Sequence, residues 1–188
     1  GEKIKEFDLI IFDRYANQSI LPRLYFENIV RYVRQGGAVM VAAGPEFAGN
    51  ASLAMTPLAQ VLPARPDGRV IEEPYLARIT TVGRRHPVTC YLPGGETEPP
   101  TLAEWPRLVS ANAQNGATVM DGPQDRPVMV LSREDKGRVA VILSDHAWLW
   151  ARNFRSGGPY LEMLRRVSHW LMKEPQLEEE ALRGSARG

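Results

Sequence analysis

Thiol and imidazole chemistry is scarce in this chain, which has one cysteine, Cys90, and three histidines in 188 residues. One thiol excludes an internal disulfide, and so few histidines leave no Cys/His framework of the zinc type. Nothing in the sequence calls for a cofactor or a metal. No run of about 18 consecutive apolar residues exists, so no segment has the make-up of a bilayer-spanning helix. The first residues also lack a basic stretch followed by an apolar core, the pattern of a secretory signal. An excess of one charge is missing too: 23 Lys and Arg face 22 Asp and Glu, for a net charge of +1. Such a balance gives no whole-chain attraction to polyanions, and nucleic acid is not an expected partner. There is no internal repeat.

What is present suits one ordinary α/β domain. The length allows a substantial core without disulfides or metal, and 44% of the residues are hydrophobic. Gly1 stands where an initiator Met is expected, and Lys3-Ile4-Lys5-Glu6-Phe7 leads straight into a strand. The expectation is a segment excised from a longer protein. Asp8-Leu9-Ile10-Ile11-Phe12-Asp13 is a short apolar run of the kind buried on both faces of a parallel sheet. After Pro22, apolar positions Leu24, Tyr25, Phe26, Ile29, Val30, Tyr32 and Val33 predict a helix to about Gln35, stopped by Gly36-Gly37. Ala38 to Ala43 predicts a second buried strand. Strand, helix and strand within about 40 residues make a βαβ unit, whose crossover is right-handed and whose strands are parallel.

Residues 57–125 hold most of the prolines and read as short β segments that decorate the sheet, at Arg69–Ile71, Leu76–Ile79 and Ala117–Met120. Pro127–Leu131 and Arg138–Leu143, separated by a turn containing Gly137, predict an antiparallel hairpin. Tyr160 to Met172 predicts a last helix with Leu161, Leu164, Val167, Trp170 and Leu171 on its apolar stripe. Residues 1–175 are thus expected to form one domain, with residues 176–188 a polar tail.

In an open α/β sheet, ligands bind beyond the carboxyl ends of the parallel strands. Three segments occupy that position: Asp13-Arg14-Tyr15, Gly44-Pro45-Glu46-Phe47 and Ser144-Asp145-His146-Ala147-Trp148. Arg14 pairs with a carboxylate there or holds an anion. A carboxylate beside His146 would keep the imidazole protonated, so Asp145, His146 and Glu46 are candidates for anion binding or acid/base work. Trp148, Trp150 and Phe154 read first as core packing and second as a stacking surface. Cys90 sits among Pro87-Val88-Thr89-Cys90-Tyr91-Leu92-Pro93, without elbow glycines or a helix start, and reads as a small half-buried residue. Arg84-Arg85-His86 reads as a solvated turn.

Several ordered phrases resemble the glutamine amidotransferase-like domains of bacterial membrane-anchored proteins. They are Tyr32 to Val41, the Gly44-Pro45 turn, Thr56-Pro57-Leu58 with Val61-Leu62-Pro63, and Gly137-Arg138-Val139 leading to Ser144-Asp145-His146. The resemblance implies a flavodoxin-like, class I amidotransferase-like three-layer sandwich, mostly parallel, with an antiparallel β extension and an initial strand and helix upstream of Phe7. It also implies a soluble domain of a membrane-anchored parent. A working class I amidotransferase uses a Cys on a sharp strand-to-helix turn with a later His and Glu. Carried over by position, the nucleophile falls near Ala42, the His on His146 and the Glu on Trp148. Two of the three groups are therefore missing.

The resulting expectation is a non-catalytic binding or assembly module. Its partners would be other regions of the parent protein, another protein, or a small polar or anionic ligand held around Arg14, Gly44, Glu46, His146 and Trp148. The competing expectation is a hydrolase or sugar-acting enzyme of the trehalose-utilisation type, using His146 with Asp145 or Glu46.

Overall fold

A computed structural model describes residue 4 and residues 6–97, 102, 104–145 and 158–173. The first two apolar runs form β1 (Ile10–Asp13) and β2 (Ala38–Ala42), paired in parallel with Ile10 opposite Val39. Helix α1 (Arg23–Arg34) connects them and buries Phe26, Ile29, Val30, Tyr32 and Val33. Leu24 and Tyr25 are exposed instead, because the stripe defined by the other five turns them outward. Gly36 takes φ +117° just past the helix, a conformation that favours glycine.

The predicted hairpin is β9 (Pro127–Glu134) and β10 (Gly137–Ile142), antiparallel, with Asp135 in the turn. Strand β10 also pairs in parallel with β2, placing Arg138 opposite Ala38. The antiparallel extension continues from β9 through β8 (Ala117–Asp121) to β5 (Arg78–Ile79), giving the order β1-β2-β10-β9-β8-β5. Every residue of β2's first four positions and of β10 is buried, as expected for strands covered on both faces.

Helix α2 (Gly158–Leu171) covers one face. Its buried residues are Tyr160, Met163, Val167, Trp170 and Leu171, whereas Leu161 is exposed. The apolar stripe begins one residue earlier than the leucine pattern suggested. Arg138 of β10 donates to the Trp170 carbonyl at 2.6 Å and stacks on the Trp170 ring at 4.9 Å. The neighbouring Gly137 faces α1, since strand side chains alternate. The two helices therefore lie on opposite faces, and the domain is a three-layer α/β sandwich. No helix among the described residues is long and apolar enough to cross a membrane.

The middle of the chain does more than decorate. Strands β8 and β5 belong to the main sheet, and the segment expected as one strand over Leu76–Ile79 is split between two ladders. Leu76 ends β4 (Tyr75–Leu76), which pairs with β6 (Glu104–Trp105), while Arg78 pairs with Asp121 in the main sheet. A separate arm is built by β3 (Ala64–Ile71) against β7 (Leu108–Ala113), with an irregularity between Pro66 and Val70. Strand β7 escaped the sequence reading because Leu108, Val109, Ser110 and Ala111 are all buried, leaving no alternation to detect.

Asp67 ties this arm together. Its carboxylate accepts from Ser110 Oγ at 2.6 Å, Arg126 Nη1 at 2.8 Å and Arg69 at 3.1 Å. Burial alone would raise its pKa, but the bonds from Ser110 and Arg69 outweigh burial and hold it at about 2, below the ordinary 3.8. A carboxyl whose folded pKa is depressed stabilises the fold above its unfolded value and loses that contribution on acidification. Asp67→Asn should therefore cost stability at neutral pH and cost less as the pH falls from 3.8 towards 2, read by denaturant titrations across that range.

The start of β10 and the end of α1 are in backbone contact. A Cβ on Gly137 would lie 1.9 Å from the Val33 carbonyl oxygen and 2.5 Å from that of Gly37. Neither obstacle can rotate away. Gly137→Ala is expected to destabilise the domain by at least about 2 kcal/mol, an overpacking cost measurable by urea denaturation.

Candidate functional site

Because β1, β2 and β10 are adjacent and parallel, the residues that follow them meet at one edge of the sheet. Arg14 follows β1 directly and has φ +47°, a sparsely populated conformation for a non-glycine residue. Its amide donates to the Ala42 carbonyl at 2.9 Å, so the β1 exit is pinned to the end of β2. Strained backbone of this kind clusters at functional sites, where the surroundings hold it in place.

After β2, the chain enters a short 3-10 turn, Pro45–Ala48, anchored in the core by Phe47. Glu46 on this turn faces Arg14, with Oε1 3.2 Å from Arg14 Nη2. Its Oε2 is buried and accepts no hydrogen bond among the described residues. Gly44 makes this approach possible, since a Cβ there would lie 2.4 Å from Glu46 Oε2 and 3.0 Å from Arg14 Nε.

Asp145, two residues beyond Leu143, is the buried centre, with a side chain 1% exposed. Arg107 approaches it as a fork, Nε to Oδ1 at 2.6 Å and Nη2 to Oδ2. Arg14 Nε adds a contact to Oδ2 at 3.3 Å. Such two-pronged guanidinium–carboxylate pairing is the strong form of an ion pair. The hydrogen bonds to Asp145 are the first cause raising the Arg107 pKa above its ordinary value.

Arg107 comes from outside the parallel strands, and the backbone explains how it gets there. Ser144 Oγ donates to the Arg107 carbonyl at 2.6 Å, and the Val109 amide donates to the Leu143 carbonyl at 2.8 Å. The residues entering β7 are thus clamped beside the exit of β10. Tyr75 completes this side. Its hydroxyl is buried near Ser144 without a well-formed hydrogen bond, and burial, with the Asp145 charge, pushes its pKa up. Tyr160 at the start of α2 is pushed up to about 12, first by burial and then by the charge of Asp13.

The structure brings together Arg14, Gly44, Glu46 and Asp145. His146 and Trp148, with Trp150 and Phe154, lie outside the described residues. Asp145 is committed to two arginines, which removes it as a ready proton acceptor. Ala42 ends β2 and passes through Ala43 and an extended Gly44 into a 3-10 turn, with no α-helix to make an elbow. Cys90 is half-buried, with Sγ 3.8 Å from the Pro87 carbonyl and its own carbonyl held by Arg166 of α2 at 2.7 Å. Among the described residues, no group of three His, Cys, Asp or Glu side chains is placed to hold a metal ion. Arg107 and Tyr75 had no sequence signal, since Arg107 arrives from a short irregular segment and Tyr75 from a two-residue strand, each positioned by pairing far away in the chain.

The two arginines should differ in weight. Removing Arg107 takes the two-pronged partner from a buried carboxylate, so Arg107→Met is expected to cost about 3 kcal/mol. Arg14 is 40% exposed, and Arg14→Met should cost about 1 kcal/mol or less. Urea denaturation of the two variants checks the order, and equal losses would contradict this account of Asp145.

Residues 8–173 match a family model described as "Putative glutamine amidotransferase". No curated protein matches the sequence significantly. The chain is similar to two solved cytoplasmic proteins of Salmonella typhimurium. One has 21% identity and a TM-score of 0.71, the other 23% and 0.69, each comparison covering 90% of this chain and 74% of that one. A ThuA-like protein from Bacteroides uniformis is similar at 15% identity and TM-score 0.53, over 85% of this chain and 76% of that one. Identities this low speak for the fold alone.

Proposed function

This chain belongs to the glutamine amidotransferase-like family, and from that premise we propose that it is a non-catalytic member. It serves as a binding or assembly module of a larger, membrane-anchored bacterial protein. The ligand surface is the strand-end cluster around Arg14, Gly44 and Glu46, and the ligand is small and polar or anionic. The observation that carries this reading is the end of β2, where the position expected of a nucleophile is Ala42, which has no group able to attack an amide. The carboxylate beside it supports the same reading, because Asp145 is spent on holding Arg107 and Arg14. Arg14 remains the accessible cation of the cluster, suited to a carboxylate or phosphate oxygen.

One observation favours a second reading. Glu46 Oε2 is a buried acceptor without a donor, and a carboxylate in that situation is a candidate acid or base. A sugar-acting or hydrolytic activity would then rest on Glu46, with His146 as its partner. Activity would follow a bell-shaped pH profile.

Two assays separate these readings: ammonia release from L-glutamine, and thermal-shift titration with glutamine, small anions and sugars. The expected result is no ammonia release and a thermal shift with one anionic or polar compound, since a ligand of the folded state raises its apparent stability. Arg14→Gln should abolish that shift. Gly44→Ala should do the same while the domain stays folded, because the new methyl displaces the Glu46 carboxylate rather than backbone. Glutamine turnover lost in Cys90→Ala would sink the non-catalytic reading. Sugar or ester hydrolysis lost in Glu46→Gln would establish the second one.

A further inference from the structure

Under α2, far along the sheet from β1, lies a groove of about 570 Å³, within the size range of small-molecule sites. Its floor is apolar, built from Leu131 of β9, Ala117 of β8, Pro87 and the Trp170 ring. Three polar side chains line it: Arg85, Arg133 and His86.

Arg14, Arg23, Arg69, Arg78, Arg107, Arg126 and Arg165 each pair with a carboxylate. Arg85 and Arg133 are not alone in lacking a carboxylate partner among the described residues, since Arg65 and Arg84 lack one too, but they are the two that line this groove. Strand pairing places Arg133 opposite Arg138, and Arg138 is already committed to the Trp170 carbonyl and ring. Positive charge is therefore concentrated here without a carboxylate partner among the described residues.

His86 supplies a third donor. Its Nδ1 accepts the Val88 amide at 3.2 Å, which assigns the ring proton of the neutral form to Nε2. That N–H has no acceptor among the described residues. Burial, helped by Arg133 and Arg138, lowers the His86 pKa to about 4, so the ring is a neutral donor at pH 7. It stands edge-on to Trp170, with centroids 5.3 Å apart. Arg84 and Arg85 are exposed, as expected of a solvated turn, and only His86 is half-buried.

We propose that this groove is a second binding site, for a small organic anion with a carboxylate or phosphate head on a ring-sized apolar body. Arg85, Arg133 and the His86 Nε2–H hold the head, and the body lies on Trp170 and Leu131. Guanidinium pairs suit planar or tetrahedral oxyanions, and an apolar floor with few convergent polar groups is the usual make-up of such a site.

Isothermal titration calorimetry of the whole chain with benzoate, phenyl phosphate, inorganic phosphate and benzyl alcohol tests it. Benzoate or phenyl phosphate should bind about tenfold or more tightly than either half-ligand, and the better of the two identifies the head group. Arg85→Gln and Arg133→Gln should each weaken binding by about tenfold, the cost of one charge-assisted hydrogen bond, with unchanged thermal stability. Arg14→Gln should leave the affinity intact, which separates this site from the strand-end cluster. The proposal is overturned if neither compound binds at about 10 mM, an affinity below that of an ordinary weak ligand. Equal affinity in the native protein and both groove variants would overturn it as well, as would loss of binding in Arg14→Gln alone.

Discussion

The carboxylate of Asp145 is buried to 1% exposure and still ionically paired, and that constraint organises the functional edge of the domain. A lone charge in such a place is prohibitively unfavourable, so cations must be delivered to it. One comes from the exit of β1 and the other from the chain entering β7. Meeting this demand bends Arg14 into a left-handed conformation, draws Glu46 towards it, and requires a glycine at position 44. It also fixes the arm of β3 and β7 to the main sheet. The β3–β7 arm would otherwise be an isolated two-stranded ribbon, which is marginal in water.

The same arrangement limits what the edge can do. Two guanidiniums and two carboxylates nearly balance, so the cluster is closer to a lock than to a catalytic group waiting for a substrate. Function then depends on the solvent-facing Arg14 guanidinium and on the buried Glu46 oxygen, which accepts no hydrogen bond among the described residues. The groove beneath α2 is the opposite case. Its cations have no carboxylate partner among the described residues, and its floor is apolar. One fold thus carries a neutralised polar cluster at one place and an unneutralised apolar groove at another.

Much of the scaffold was legible in the amino-acid order. The runs that became β2, β9 and β10 are continuous and largely buried, because strands covered on both faces need no polar alternation, whereas β1, also expected to be buried on both faces, is the edge strand and leaves Ile11 exposed. The turn at Gly36-Gly37 and the hairpin at Asp135-Lys136 announced themselves through glycine. Resemblance to the amidotransferase-like family pointed to the right sandwich. The candidate edge was legible only in part. Arg14, Gly44, Glu46 and Asp145 follow parallel strands, and the rule for open sheets picks out such residues. Arg107 and Tyr75 could not be found that way. They reach the edge through the pairing of Val109 with Leu143 and through side-chain bonds between residues 37 apart. The local pattern around Arg107, Trp105-Pro106-Arg107, carries no trace of that partnership. Within Arg84-Arg85-His86 only His86 departs from the solvated turn, because Trp170 at the end of a distant helix lies edge-on against its ring.

Arg138 holds the end of that helix in an uncommon way. Its guanidinium bonds the Trp170 carbonyl, near the helix end, which also accepts the Lys173 amide at 3.1 Å, and stacks on the ring of the same residue. One side chain from the middle of the sheet thus both ties down the end of α2 and supports the aromatic wall of the groove. Unwinding the last turn of α2 and dismantling the groove are then one event rather than two. Amide exchange at the end of α2 becomes a reporter of the groove's occupancy, readable without any label near the ligand.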